Sequence, residues 1–191
     1  HELPKGNAND IGSAIDAAKA AWLDGAWANM PAAERGDLIS RMAQGVEENI
    51  EALAAIEAAD VGKPFRQAAM VLSGAASEGK YWGSLGAVLD AGQDTPVNSG
   101  GGMGGLPPAE WDVVYRRDPI GLVGLISAWN YPINVAFRKV APALVAGNCA
   151  ILKPSEIASL SCMFLAKLAQ DVGIPEGVFS VVTGGRETGA A

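Results

Sequence analysis

Two short polar segments stand among apolar runs in the second half of the chain: Ser127-Ala128-Trp129-Asn130-Tyr131-Pro132 and Lys153-Pro154-Ser155-Glu156. A glutamate carboxylate can accept hydrogen bonds from both hydroxyls of a nucleotide ribose, and a lysine ammonium adds a donor to the same sugar. Such a carboxylate repels a 2′-phosphate, so this pair favours NAD over NADP. The segment reads equally as an ordinary helix start, with Pro154 extended, Ser155 as cap and Glu156 in the first turn, where an acid suits the helix dipole. Asn130 offers an amide N–H to a developing oxyanion. It reads equally as the N-cap of a helix that has Pro132 just inside it. Trp129 serves a core or a cofactor wall alike.

The remaining reactive side chains read as structural. Arg138 and Lys139 fall in mid-helix, where such residues usually stay in solvent. Cys149 lies in an apolar strand and Cys162 in mid-helix, each without a histidine partner, as small inert hydrophobes. The only histidine is His1, so no metal site is expected, and two remote cysteines give neither zinc spacing nor a disulfide framework. A reducing compartment follows, the cytoplasm or an organelle matrix. His1 to Gly6 has no basic and apolar run of the kind a secretion signal needs. With 14 basic against 21 acidic residues the net charge is −7, which argues against nucleic acid or an anionic membrane as the main partner. With 49% hydrophobic and 18% charged residues, the chain has apolar content enough for a packed core.

Several elements must position these loops. Asn7 to Trp22 carries Ile11, Ala14, Ile15, Ala18 and Trp22 on one helical face, with Asn9 or Asp10 as cap. A second helix is predicted from Pro31, with a long stripe through Leu38, Met42, Val46, Ile50, Leu53 and Ile56. Gly62-Lys63-Pro64 breaks the chain, and a third helix runs from about Phe65 to Leu89, its stripe blurred by four glycines. Residues 91–118 form a Gly/Pro-rich excursion. Its Gly100 to Gly105 run matches G-x-G-x-x-G in letters only, because no strand precedes it and Pro107-Pro108 follow. Trp111 to Arg117 alternates as a half-buried strand. From 119 onward the pattern is strand, helix, strand, helix, strand: Ile120 to Ile126, Pro132 to Ala146, Cys149 to Leu152, Glu156 to Val172 and Val178 to Val182. This is a parallel βαβαβ unit of an α/β fold, and ligands of such sheets bind beyond the carboxyl ends of the strands, where both polar segments fall. The uncharged stretch from Pro119 to Phe137 holds too many glycines, prolines and asparagines to span a membrane.

Taken together, these residues resemble the aldehyde dehydrogenase family. The resemblance runs from Lys5-Gly6-Asn7-Ala8-Asn9-Asp10-Ile11 through Asp60-Val61-Gly62-Lys63-Pro64 and Pro119-Ile120-Gly121-Leu122-Val123-Gly124. It is most specific at Trp129-Asn130-Tyr131-Pro132, at Lys139 to Asn148 and at Leu152-Lys153-Pro154-Ser155-Glu156. Ser155 to Cys162 is similar to the betaine and amino-aldehyde branch. The resemblance implies a Rossmann-like NAD-binding unit at 119–191, preceded by a helical part at 1–90 and an oligomerisation arm within 91–118. It implies that Ile126, Ser127 and Trp129 line the cofactor, that Lys153 and Glu156 hold its ribose with Ser155 between them as a further cofactor-binding residue, and that Gly185 and Gly189 lie under the adenine and pyrophosphate. Asn130 becomes the side-chain oxyanion donor, Lys139 a lysine near the catalytic carboxylate, and Tyr131 and Val135 substrate-channel positions. An aromatic Tyr131 suits a cationic aldehyde.

The family's chemistry needs a cysteine nucleophile, which forms a thiohemiacetal, and a glutamate general base. Both belong to segments beyond the matched region, and neither Cys149 nor Cys162 has the nucleophile's sequence context. Ala128 stands where the family usually has proline, and the loop from Thr183 to Gly189 is one residue short. The chain therefore reads as the N-terminal, cofactor-binding portion of an aldehyde dehydrogenase, an incomplete domain that is inactive alone, whose full-length form is a homo-oligomer acting on a small aldehyde. The competing reading is a truncated, non-catalytic structural subunit whose open sheet a partner covers.

Overall fold

A computed structural model describes residues 3–90 and 118–191 of the chain. The elements run α1 (Ala8–Asp24), α2 (Ala32–Glu48), α3 (Ile50–Val61), α4 (Phe65–Asp90), β1 (Leu122–Ile126), α5 (Pro132–Val145), β2 (Cys149–Lys153), α6 (Leu160–Asp171), β3 (Phe179–Val181) and α7 (Arg186–Ala190). The three strands are parallel in the order β1-β2-β3. Both crossovers step in the same direction, so right-handed connections place α5 and α6 on one face of the sheet. The pair α2 and α4 packs behind α5, while α1 lies against β1 and β2 from the opposite face. The α/β expectation holds, with the βαβαβ unit in place. The strand expected at Trp111 to Arg117 lies outside the described residues.

Three boundaries differ from the sequence expectation, each for a local reason. The N-cap of α1 is Asn7, not Asn9 or Asp10. Its side chain accepts from the Asn9 N–H at 2.7 Å, and the Asp10 carboxylate returns a bond to the Asn7 N–H at 2.8 Å, a reciprocal capping box. The single helix expected from Pro31 through Ile56 is two, because the Asn49 side chain donates back to the Gly45 carbonyl at 2.8 Å and takes the backbone out of register. The helix expected from Glu156 begins at Leu160 instead. Residues 155–158 close a turn through the Ala158 N–H to Ser155 carbonyl bond, and the Ser159 hydroxyl donates to that same carbonyl at 2.7 Å.

Three of the four glycines that blur the α4 stripe belong to its contact surface. Gly79, Gly83 and Gly86 share a helical face, and all three are buried. A Cβ on Gly83 would meet the Ser40 hydroxyl and stand 2.6 Å from the Gly36 carbonyl oxygen, and one on Gly86 would strike the Ala32 carbonyl. Backbone therefore touches backbone where α2 crosses α4. The first turn of α2 has no side-chain cap of its own. Asp90, at the far end of α4, supplies it, accepting from the Ala32 and Ala33 N–H groups at 2.7 Å each.

At the amino ends of the strands, Asn148 fastens the sheet. Its Oδ1 accepts from the Gly121 N–H at 3.1 Å, its amide donates to the Ala143 carbonyl, and its own carbonyl accepts from the Trp27 indole N–H at 3.2 Å. Arg35, 6% exposed, donates Nε to the Val145 carbonyl at 3.0 Å and Nη1 to the Met30 carbonyl. Burial lowers its pKa, yet a guanidinium stays charged at any working pH.

Two stability predictions follow from α2 and α4. Gly83→Ala is expected to destabilise by about 1–3 kcal/mol, since the added methyl meets backbone that cannot yield cheaply. Gly74→Ala, on the same helix with open space around it, should instead stabilise by up to about 1 kcal/mol; urea unfolding of the two variants checks the opposite signs. Asp90 is held below the usual aspartate range, chiefly by the Ala33 and Ala32 N–H bonds. A depressed folded pKa contributes stability above the unfolded value and loses it as pH falls through the folded one. Asp90→Asn, which removes the charge, should thus cost about 0.3–1 kcal/mol at neutral pH, and the difference from the native chain should vanish in acid, as thermal melts across pH would show.

Candidate functional site

The register of β1 on β2 sets the site. Leu122 pairs with Cys149 and the ladder continues to Ile126 opposite Lys153, with the Ser127 N–H reaching the Lys153 carbonyl at 3.3 Å. The two polar segments therefore leave the sheet side by side, at one edge.

Lys153 and Glu156 face each other with Nζ and carboxylate 3.5 Å apart. The lysine side chain is mostly buried and the glutamate is 58% exposed, so the carboxylate is the outer member. Its own backbone N–H, and then Lys153, hold Glu156 below the usual glutamate range. Glu156 sits in the turn before α6 and not in its first helical turn, and Ser155 does not cap that helix. The Glu156 carboxylate is thus free of helix-capping duty and opens on an adjoining cleft of about 650 Å3, lined also by Lys5, Asp60, Ser159, Gly184 and Gly185. Behind it, Gly189 lies against the Lys153 stem, where an added Cβ would be 3.7 Å from Cδ. The N-terminal segment closes this side. The Gly6 N–H donates to the Thr183 carbonyl at 2.9 Å, and the Thr188 hydroxyl donates to the Gly6 carbonyl at 2.5 Å.

The structure brings Lys153, Glu156, Gly185 and Gly189 together, and it sets Ile126 and Ser127 beside Lys153. Ile126 and Trp129 are large apolar side chains, 62% and 52% exposed at the top of β1. Ser127 is buried, and its hydroxyl has no partner among the described residues. Asn130 is exposed and does not cap α5: the N-cap is Tyr131, without a side-chain bond. Tyr131 carries Lys63 Nζ over its ring, 4.4 Å from the centroid, so one ring face already holds a cation of the protein. Val135 is half-buried one turn into α5. Lys139 is exposed on the same helix, and its neighbour Arg138 grips Glu78 of α4 through two nitrogens at 2.9 and 3.1 Å.

Sequence reasoning missed Glu57. Within α3 it shares the buried face of Leu53 and Ala54, and it pairs with Lys63 at 3.2 Å. A single acid on an apolar helical stripe was the available signal. Among the described residues no cluster of histidine, cysteine and acidic groups is arranged to hold a metal, and no helix is long and apolar enough to cross a membrane.

A family model described as the aldehyde dehydrogenase family matches residues 1–191. The chain belongs to the aldehyde dehydrogenase family. It is 39% identical over 193 residues to peroxisomal aminoaldehyde dehydrogenase 2 of Malus domestica, covering 99% of this chain and 37% of that protein. It is 38% identical to betaine aldehyde dehydrogenase 1 of Oryza sativa subsp. japonica, with the same coverage. The crystal structure of betaine aldehyde dehydrogenase from Staphylococcus aureus in complex with NAD+ superposes with a TM-score of 0.77 at 27% identity, covering 95% of this chain and 34% of that one. The chain thus spans roughly a third of the length of the aldehyde dehydrogenases it matches.

Neither cysteine of this aldehyde dehydrogenase chain is built to be a nucleophile. Burial pushes the Cys162 thiol up to about 12 and raises that of Cys149 as well, whereas a reactive cysteine needs a thiolate in an exposed, electropositive setting. Iodoacetamide at pH 8 should therefore label neither residue in the folded protein and both in denaturant. Mass spectrometry of the labelled peptides checks this, and native labelling of Cys162 would contradict it.

Proposed function

We propose that the protein carrying this chain is an NAD-dependent aldehyde dehydrogenase that oxidises an aldehyde to a carboxylic acid. In this reading a cysteine outside residues 1–191 forms a thiohemiacetal with the substrate, and a glutamate outside them activates water for release of the acid. NAD, when bound, accepts the hydride. The observation that carries the reading is the pairing of Ile126 with Lys153, which sets the Asn130 loop and the Lys153–Glu156 pair at one sheet edge.

The residues present fit the cofactor. Glu156 offers an exposed carboxylate, kept ionised at neutral pH, to the ribose hydroxyls, and Lys153 donates from below. The Glu156 carboxylate, as the outer member of its pair with Lys153, disfavours the 2′-phosphate of NADP. Gly185 and Gly189 leave room for close approach of a nucleotide beside Lys153, while Ile126, Ser127 and Trp129 supply a wall at the top of β1. Asn130 donates its side-chain N–H to the oxyanion that develops on the substrate carbonyl. Val135 and Tyr131 border the aldehyde's approach, and Lys139 stands further along the same helix. Relatives named for aminoaldehydes and betaine aldehyde support a substrate bearing an amine or ammonium group. Such a cation would meet the face of Tyr131 opposite Lys63. Assembly as a homo-oligomer and a location in the cytoplasm or an organelle matrix belong to the same reading.

A coupled assay of NADH formation and NAD affinity tests it. Glu156→Ala is expected to weaken NAD binding about tenfold while improving NADP relative to NAD. Asn130→Ala is expected to lower kcat by roughly a hundredfold or more with NAD affinity unchanged. Retention of full kcat by Asn130→Ala, or an unaltered cofactor preference in Glu156→Ala, would sink the assignment.

A further inference from the structure

Beneath the Asn130 loop lies a set of buried charges that the proposed chemistry does not use. Glu57 is 1% exposed and stands in α3, far from the sheet edge in sequence. One carboxylate oxygen is 3.2 Å from Lys63 Nζ, and the other accepts from the Ile133 N–H at 3.2 Å, in the first turn of α5. The Lys63 side chain is itself only 7% exposed, and its ammonium rests on the Tyr131 ring. The start of α5 has no side-chain cap of its own. Glu57 takes that place from across the fold, and Lys63 pins the residue that immediately follows Asn130. Since the Asn130 side chain is exposed, its direction depends on the backbone of the two residues after it.

We propose that Glu57 and Lys63 are positioning residues for Asn130, holding the turn from β1 into α5 so that the asparagine amide points at the reacting carbonyl oxygen. This rests on the reading of Asn130 as the oxyanion donor. The geometry is specific to the role. The ion pair reaches the turn at two points, the Tyr131 ring and the Ile133 N–H, whereas Lys153 pairs with Glu156 instead. Loosening it should disturb Asn130 while sparing NAD. A displacement of the donor of about 1 Å is enough to cost a large factor in rate.

The test is steady-state kinetics on the native protein for Glu57→Gln, Lys63→Met, Asn130→Ala and the Glu57→Gln/Asn130→Ala double variant, with thermal melts in parallel. Glu57→Gln and Lys63→Met are expected to lower kcat and kcat/KM together by about tenfold, as for an interaction made only in the transition state, with NAD affinity unchanged. In the Asn130→Ala background Glu57→Gln should add nothing further. A merely structural role predicts the same loss in both backgrounds, or a lower melting temperature with kcat intact, and either result overturns the proposal. Should Glu57→Gln melt below the assay temperature, the Glu57→Gln/Lys63→Met pair, which leaves no lone buried charge, replaces it. If Asn130→Ala has full activity, or the native protein oxidises no aldehyde, the functional reading falls and this inference with it. If Asn130→Ala is impaired and Glu57→Gln is not, only this inference falls.

Discussion

The register between β1 and β2 is the constraint on which the site depends. Side chains alternate along a strand, so a slip of one residue would exchange the two buried faces of the run Cys149 to Leu152 and carry Lys153 away from Ile126. The register is fixed at the opposite end from the site. Asn148 binds the Gly121 N–H through its side chain, and the Cys149 N–H reaches the Gly121 carbonyl at 2.7 Å. Those bonds anchor the first rung, and five paired residues later the two polar loops emerge level with each other. The sheet works as a ruler: polar contacts at its amino end place chemistry at its carboxyl end.

The helical layer behind α5 keeps that ruler from flexing. Gly36, Gly83 and Gly86 let α2 and α4 meet backbone to backbone, so the pair forms a thin, stiff slab. Arg35 extends from that slab to the Val145 carbonyl, just before Asn148, and Trp27 reaches Asn148 itself. Buried polar groups of this kind are costly when unpaired. Their pairing here ties α2, the end of α5 and the start of β2 together. On the other side of α5, Glu57 ties α3 to the helix start. Both ends of α5 are thus held by side chains from the preceding helical region.

Much of this was legible in the residues, and the parts that were not have physical causes. Strand and helix alternation after residue 119 follows from buried apolar runs punctuated by Pro and Gly, and the pairing of the two polar loops follows from parallel topology. The break at Asn49 was not legible, since its stripe of Leu38, Met42, Val46 and Ile50 continues smoothly and only the back-bond to Gly45 ends the helix. Ser155-Glu156 carries every mark of a capped helix start, yet a serine-closed turn competes and wins. Gly79, Gly83 and Gly86 read as weak helix sequence because propensity is local, whereas their use is a tertiary contact. Asp90 and Glu57 cap helices 58 and 76 residues away in sequence, a distance that no local pattern reports.

Glu57 and Lys63 also pose an energetic question that packing alone does not answer. Taking two charges out of water costs roughly several kcal/mol for each, and a buried pair seldom recovers more than it loses relative to well-fitted apolar side chains. Leu53 and Ala54 on the same face show that α3 packs by apolar contact without difficulty. A hydrophobic residue at 57 would serve the core as well. It would leave the Ile133 N–H uncapped and Tyr131 without a fixed neighbour, though, and neither loss concerns the core. Apolar contacts are non-directional, whereas a carboxylate shared between an ammonium and a backbone N–H admits few geometries. The interaction therefore stands where direction is at stake, at the turn that follows Asn130.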